Sequence, residues 1–262
     1  MKGFILLIAL LGTVGSAAAQ YALSPLPRVP SACQIGLAQI AQFKPLPPIA
    51  AAGDCAAADV VLLQGVTLFD KTTVAVVPPA TLRCTMAEQV SRWVREDVAL
   101  AAKVIERVTL RRIDNLDSYE CRSRNRIRGA RLSEHGRANA FDVGDFRVSD
   151  GRVLALTDLK VAKAWREALR TSACARFSTV LGPGSDGYHE EHVHVDLAEH
   201  RKGFKTCEWD VREPIVEAKA PAPPSEQVAA RIEDPVPLPR PRPLVPADKA
   251  TSQSGKLDFQ IR

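Results

Sequence analysis

The sequence predicts an α+β fold in which a small antiparallel sheet is flanked by helices and braced by disulfides, and three observations carry that prediction. Two stretches place apolar side chains at helical spacing, several short runs alternate apolar with polar residues, and all six cysteines lie beyond an N-terminal apolar segment. The first sets the helical layer, the second the sheet, and the third the compartment.

At the start, Lys2 precedes an apolar stretch reaching Val14, followed by Gly15, Ser16 and the small residues Ala17, Ala18 and Ala19. This is the pattern of a secretory signal over residues 1–19, cleaved before Gln20. The stretch is too short to span a bilayer comfortably and no later segment reaches its length, so the mature chain is expected to have no transmembrane helix. Residues 20–55 are rich in proline and read as an extended arm, and 56–212 read as the folded domain. Repeated prolines from Pro214 to Pro246 make 213–262 a disordered, basic, proline-rich tail, since such composition buries too little apolar surface to fold.

Within the domain, short strands are expected at 60–63 and 73–77. A helix follows: Thr85-Met86-Ala87-Glu88 reads as a capping box, and Met86, Val90, Trp93, Val94, Val98 and Ala101 recur on one face, which makes Trp93 a core residue. Further strands are expected at 108–113, 118–122, 139–143 and 146–148, with a turn at 149–152. A second amphipathic helix is expected over 158–170, with Val161, Ala162, Trp165, Ala168 and Leu169 inward. A strand at 177–181, a glycine-rich loop at 182–187 and a strand at 191–197 complete the domain.

In an oxidising compartment the cysteines read as three disulfides, and none of them forms the close C-x-x-C pair of a structural zinc site. Sequence alone leaves the connectivity open. The pairing favoured for enclosing continuous stretches is Cys33–Cys55, Cys84–Cys121 and Cys174–Cys207.

The net charge of +5 is mild, but Arg122, Arg124, Arg126, Arg128 and Arg131 cluster together. Such a run is either a solvated surface or a positive field that concentrates an anionic polymer or carboxylate-bearing substrate. Nucleic acid is not expected as a partner of an exported chain with 5% aromatic residues, too few for base stacking.

Two short runs carry the chemistry, residues 133–142 and 191–196. In the second, alternation sends His192, His194 and Asp196 to one strand face and Val193 and Val195 into the core. In the first, Ala140, Asp142 and Gly144 share a face, and His135 arrives from the preceding loop. His135, Asp142 and an imidazole of the second run therefore converge. Two imidazoles and a carboxylate leave a position open for water, the ligand count of a catalytic zinc. An isolated histidine in a half-buried strand is usually only hydrogen-bonded, but three of the five histidines fall within residues 188–194 and a fourth is His135.

These residues resemble the zinc peptidases of the LAS superfamily, with its lysostaphin, D-alanyl-D-alanine carboxypeptidase and Hedgehog-like fold, and more closely its bacterial extensin-like C-terminal branch. The pattern S-x-H-x-x-G-x-A-x-D followed by E-x-x-H or H-x-H is matched by Ser133, His135, Ala140 and Asp142, then by Glu191, His192 and His194. Ala138 stands where glycine is usual, which loosens the link to the classical carboxypeptidases more than the link to zinc. The resemblance extends over roughly residues 30–210 and takes in Tyr119-Glu120-Cys121-Arg122 and Val180-Leu181-Gly182-Pro183-Gly184.

The resemblance implies Zn2+ held by His135, Asp142 and His194, with Glu191 as general base and His192 as its electrostatic partner. It places Arg122 at the substrate carbonyl or carboxylate, with Arg124 as the fallback. Ser133 would touch substrate or satisfy nearby backbone, Asp196 would support the site from outside, and His189 would be a loop residue only. The implied substrate is peptidoglycan or its muropeptides, cut at D-amino-acid amide bonds of stem peptides or cross-links in the periplasm or cell envelope. Carboxypeptidase and endopeptidase remain open, and the rival reading is a non-catalytic, zinc-containing envelope binding or structural protein.

Overall fold

Nine strands join in one sheet in this computed structural model, and burial alternates most clearly along the strand Thr73–Arg83. The described residues are 29–51 and 53–213; the expected signal segment, the first part of the arm and the tail beyond 213 lie outside them. The elements are α1 (Ala32–Leu37), β1 (Ala41–Pro45), β2 (Val60–Thr67), β3 (Thr73–Arg83), α2 (Cys84–Trp93), a π-helical turn (Val94–Val98), α3 (Ala99–Val104), β4 (Leu110–Asp117) and β5 (Ala140–Val148). They continue with β6 (Val153–Ala155), α4 (Lys163–Arg176), β7 (Thr179–Leu181), β8 (Val193–Asp196) and β9 (Thr206–Glu208).

The strand order is β1-β2-β3-β4-β5-β8-β7-β9, with β6 paired to β5. The α+β class holds, but the sheet is larger than expected and mixed rather than wholly antiparallel. Pairs β3–β4 and β7–β9 are parallel. The first follows from the chain itself: α2 and α3 carry it from the end of β3 back to the start of β4, a helical crossover that returns a strand in the same direction.

The two helical stretches meet over the centre of the sheet. Trp93 from α2 and Trp165 from α4 both stand edge-on to Phe146 of β5, with ring centroids 6.3 and 5.8 Å away, and Trp93 also meets Phe177 at 5.8 Å. Trp93 is fully buried, as its place in the apolar stripe requires, and its indole N–H donates to the Ser172 hydroxyl at 2.9 Å.

Several local expectations shift. No capping box opens α2, because β3 runs straight into it: Arg83 is the cap residue without a side-chain cap, and the Cys84 N–H donates to the Asp59 carbonyl at 2.8 Å. The helix expected from 158 begins at Lys163, since Asp158 instead closes a turn by accepting from the Lys160 and Val161 N–H groups. Ala162 is exposed as a result. The expected strands at 139–143 and 146–148 are one strand, and the gap between them is a register shift against β4. Residues 118–122 form no strand, and the arm contains α1 and the edge strand β1.

The disulfides are Cys33–Cys84, Cys55–Cys121 and Cys174–Cys207, with Cα separations of 6.1, 5.5 and 5.6 Å. The third pairing was expected and the first two were not. Enclosing continuous stretches is the wrong criterion here, because the sheet brings α1 beside the start of α2, and the turn at Gly53–Cys55 against the loop after β4. Among the described residues no helix is long and apolar enough to cross a membrane.

Candidate metal centre

The opposite face of β5 and β8 builds the site. Phe141, Val143, Val193 and Val195 point into the core, so Asp142 and His194, which are direct cross-strand partners, must share the other face. His135 reaches them from a short helical turn, Glu134–Arg137, just before β5. The Ser133 hydroxyl caps that turn, accepting the His135 backbone N–H at 3.3 Å. The turn ends at Ala138 with φ 53° and ψ 33°, the left-handed region that favours glycine, and so accounts for the residue usual at that motif position.

Three ligand atoms converge. His135 Nε2, Asp142 Oδ1 and His194 Nδ1 lie 3.2, 3.1 and 2.9 Å from one another, and their residues are only 1%, 5% and 7% exposed. Ligands about 2.0–2.1 Å from a tetrahedral zinc stand roughly 3.3 Å apart, so the triangle is of the right size.

Protonation makes the case sharper. His135 Nδ1 faces the Ser118 carbonyl at 2.6 Å, and His194 Nε2 faces Asp196 Oδ2 at 3.1 Å. Both outer partners are acceptors, so each of these nitrogens carries its ring's proton, and in the neutral rings both inward nitrogens present lone pairs. Two lone pairs and a carboxylate oxygen then face one point with no donor among them. A cation resolves that conflict, and outward acceptors on ligand imidazoles are the usual support of a metal site.

Without a cation a proton substitutes. Burial lowers the His194 pKa, but its bonds to Asp142 and Asp196 outweigh this and raise it to about 9. Burial acts to raise the Asp142 pKa, yet the two histidines hold it well below the ordinary carboxylate range. Asp196 is likewise held down: burial opposes its charge and the His194 bond more than compensates.

The triad opens into a cleft of about 690 Å³ lined by Arg122, Arg124, Ser133, His189, His192 and Asp196 among others. His192 is half-buried with Nε2 3.5 Å from Asp142 Oδ2, and burial keeps its pKa below the usual histidine value. Arg122 is held by Asp117 at 2.8 Å and Glu120 at 2.9 Å, whereas Arg124 is exposed and makes no ion pair among the described residues.

Glu191 is exposed and does not line the cleft. His189, expected only as a loop residue, does line it: it is buried, its Nδ1 bonds Asp186 Oδ1 at 2.7 Å, and its ring centroid is 5.1 Å from that of His192. The sequence signal for it was the spacing of Asp186 and His189, three residues apart after a glycine-rich turn.

Residues 31–208 match the family described as Extensin-like protein C-terminus. The chain belongs to this extensin-like C-terminal family. No curated protein and no solved structure matches it. The extensin-like domain thus coincides with the described fold from α1 to β9, and both motif runs fall inside it.

Proposed function

We propose that this extensin-like domain is an exported zinc-dependent peptidase of the LAS type that hydrolyses D-amino-acid amide bonds in peptidoglycan stem peptides or cross-links. The observation that carries the reading is the buried convergence of His135 Nε2, Asp142 Oδ1 and His194 Nδ1, all acceptors, at one end of an open cleft. Three disulfides among the described residues fit an oxidising compartment such as the periplasm. Zinc, when held by these three residues, would supply Lewis acidity and would lower the pKa of water towards neutrality.

The chain supplies the rest. His192, kept neutral by burial, accepts the proton of the attacking water and returns it to the leaving amine. His189 lines the same space; with its Nδ1–H given to Asp186 Oδ1, its Nε2 presents a lone pair that accepts a substrate amide N–H. We assign the base to His192 rather than to Glu191 because only His192 reaches the cleft. Arg124, unpaired at the cleft wall, is better placed than the doubly held Arg122 to meet a substrate carbonyl or carboxylate.

The test is turnover of purified muropeptides with zinc content measured on the same samples. His192→Ala should keep the metal and lower turnover by about 10²-fold or more, while Glu191→Gln should retain it. Loss of turnover on Glu191→Gln with His192→Ala unaffected would reverse the assignment. Stoichiometric zinc with no cleavage of any muropeptide would favour the non-catalytic envelope reading.

A further inference from the structure

A second cavity, of about 850 Å³, adjoins the metal cleft and shares Arg124, Glu134 and His200 with it. Arg83, Arg124, Arg131 and Arg137 line it, against the carboxylates of Asp54, Glu134 and Glu199. Arg137 is taken up by Glu134 at 2.7 Å and Asp54 at 3.5 Å, and Glu134 also accepts from Asn139 at 2.7 Å. Arg83, Arg124 and Arg131 make no ion pair among the described residues. Arg83 Nε is buried with no hydrogen-bond partner, and its Nη2 reaches only the Ala56 carbonyl at 3.4 Å.

Arg124 and Arg131 are exposed on this cavity without a carboxylate partner among the described residues, and an anionic oxygen is the complement that such a fork takes best. We propose that this cavity is an anion subsite that receives a carboxylate of the substrate while the neighbouring amide lies in the metal cleft. Four guanidiniums against three carboxylates leave one excess positive charge, which suits a monoanionic carboxylate better than a dianionic phosphate. The identity of the polymer rests on the peptidase reading; the anion preference does not. The bland alternative, a solvated arginine surface, gives no discrimination between charged and neutral forms of one ligand.

The probe is a fluorescent, soluble stem-peptide fragment with N-methylated, uncleavable amide bonds, prepared with free carboxylates and with those carboxylates amidated. Anisotropy is read on the full chain loaded with zinc. Removing one charge-assisted hydrogen bond should weaken binding roughly 10- to 100-fold. Amidation should therefore weaken the wild type by at least about tenfold, and the Arg83→Gln/Arg131→Gln variant should bind both fragments at the amidated level. Arg131 is exposed, so Arg131→Glu tests the same point without disturbing the β3–α2 junction. Equal binding of the two fragments by the wild type, a preference that survives these substitutions, or competition by inorganic phosphate stronger than by acetate would each overturn the proposal. Cleavage of the unmethylated fragment is scored separately: no cleavage with the carboxylate preference intact refutes the peptidase reading alone, and cleavage without the preference refutes the subsite alone.

Discussion

Replacing Asp196 with asparagine tests the outer support of the metal centre. One carboxylate oxygen of Asp196 accepts His194 Nε2–H at 3.1 Å and the other accepts the Ala198 backbone N–H at 2.9 Å. An asparagine has one oxygen for these two donors. The backbone N–H cannot change, but the imidazole can: with the amide oxygen towards Ala198, the amide NH2 faces His194, whose proton then moves to Nδ1 and blocks the ligand atom. Binding zinc requires turning the amide round, so that its NH2 meets the Ala198 N–H in a site where Asp196 is only 3% exposed. Leaving such a buried donor unsatisfied costs about 1–3 kcal/mol, and that cost falls on the zinc-loaded state alone. Zinc affinity should therefore drop about 10- to 100-fold, which agrees with the usual weight of such outer partners. Competition titration against a chromophoric zinc chelator measures it directly. An Asp196→Asn protein with native circular dichroism and wild-type zinc affinity would refute the tautomer argument.

Metal-free protein should lose stability as pH rises from about 6.5 to 9, because the raised His194 pKa contributes only while that ring holds its extra proton, and should lose it below about 4, as the depressed Asp142 and Asp196 protonate. The gain in melting temperature on adding zinc should accordingly be greatest near pH 9, and a gain that shrinks between pH 6.5 and 9 contradicts this. Removing Cys55–Cys121 by double serine substitution should cost about 2–5 kcal/mol in denaturant titration and also weaken zinc binding, since that bond ties down the loop whose Ser118 carbonyl orients His135. Removing Cys174–Cys207 should cost stability with little effect on zinc, and equal zinc losses in both variants would show the loop is not what matters. Ala138→Gly should change stability by less than about 1 kcal/mol, because relief of the left-handed conformation is set against removal of a buried methyl and a freer unfolded chain. Ala138→Val, β-branched at positive φ in a fully buried site, should cost more than about 2 kcal/mol in the same titration.

That Asp142 and an imidazole of the second run stand on one sheet face was legible from strand alternation, with Val193 and Val195 filling the core side, but the choice of His194 over His192 came from the resemblance. Trp93 was legible from the corresponding periodicity of a helix. The disulfides were not, because their pairing depends on which distant elements the sheet makes neighbours, and neither the approach of α1 to α2 nor that of the turn to the loop after β4 is encoded in local spacing. Edge strands β1, β6 and β9 also escaped, being three to five residues long and made by pairing rather than by pattern. Motif spacing did not carry the position of Glu191: three residues before His194 is a helical neighbour but not a strand neighbour, and at Glu191 the chain has not yet entered β8.

Asp142 and His194 face each other across one rung of the ladder, and that same rung runs outward to Asp117 on β4 and Leu181 on β7. The floor of the cleft is thus measured out by hydrogen-bonded backbone, while its walls come from the stretches 118–134 and 182–192, which lie largely between strands. Floor and walls are separable parts. In an engineered chain the stretch at 182–192 could be exchanged, with Asp186, His189 and His192 kept, to reshape what the cleft admits while Asp142 and His194 stay in register, much as a workbench keeps its vice when the jigs around it are changed.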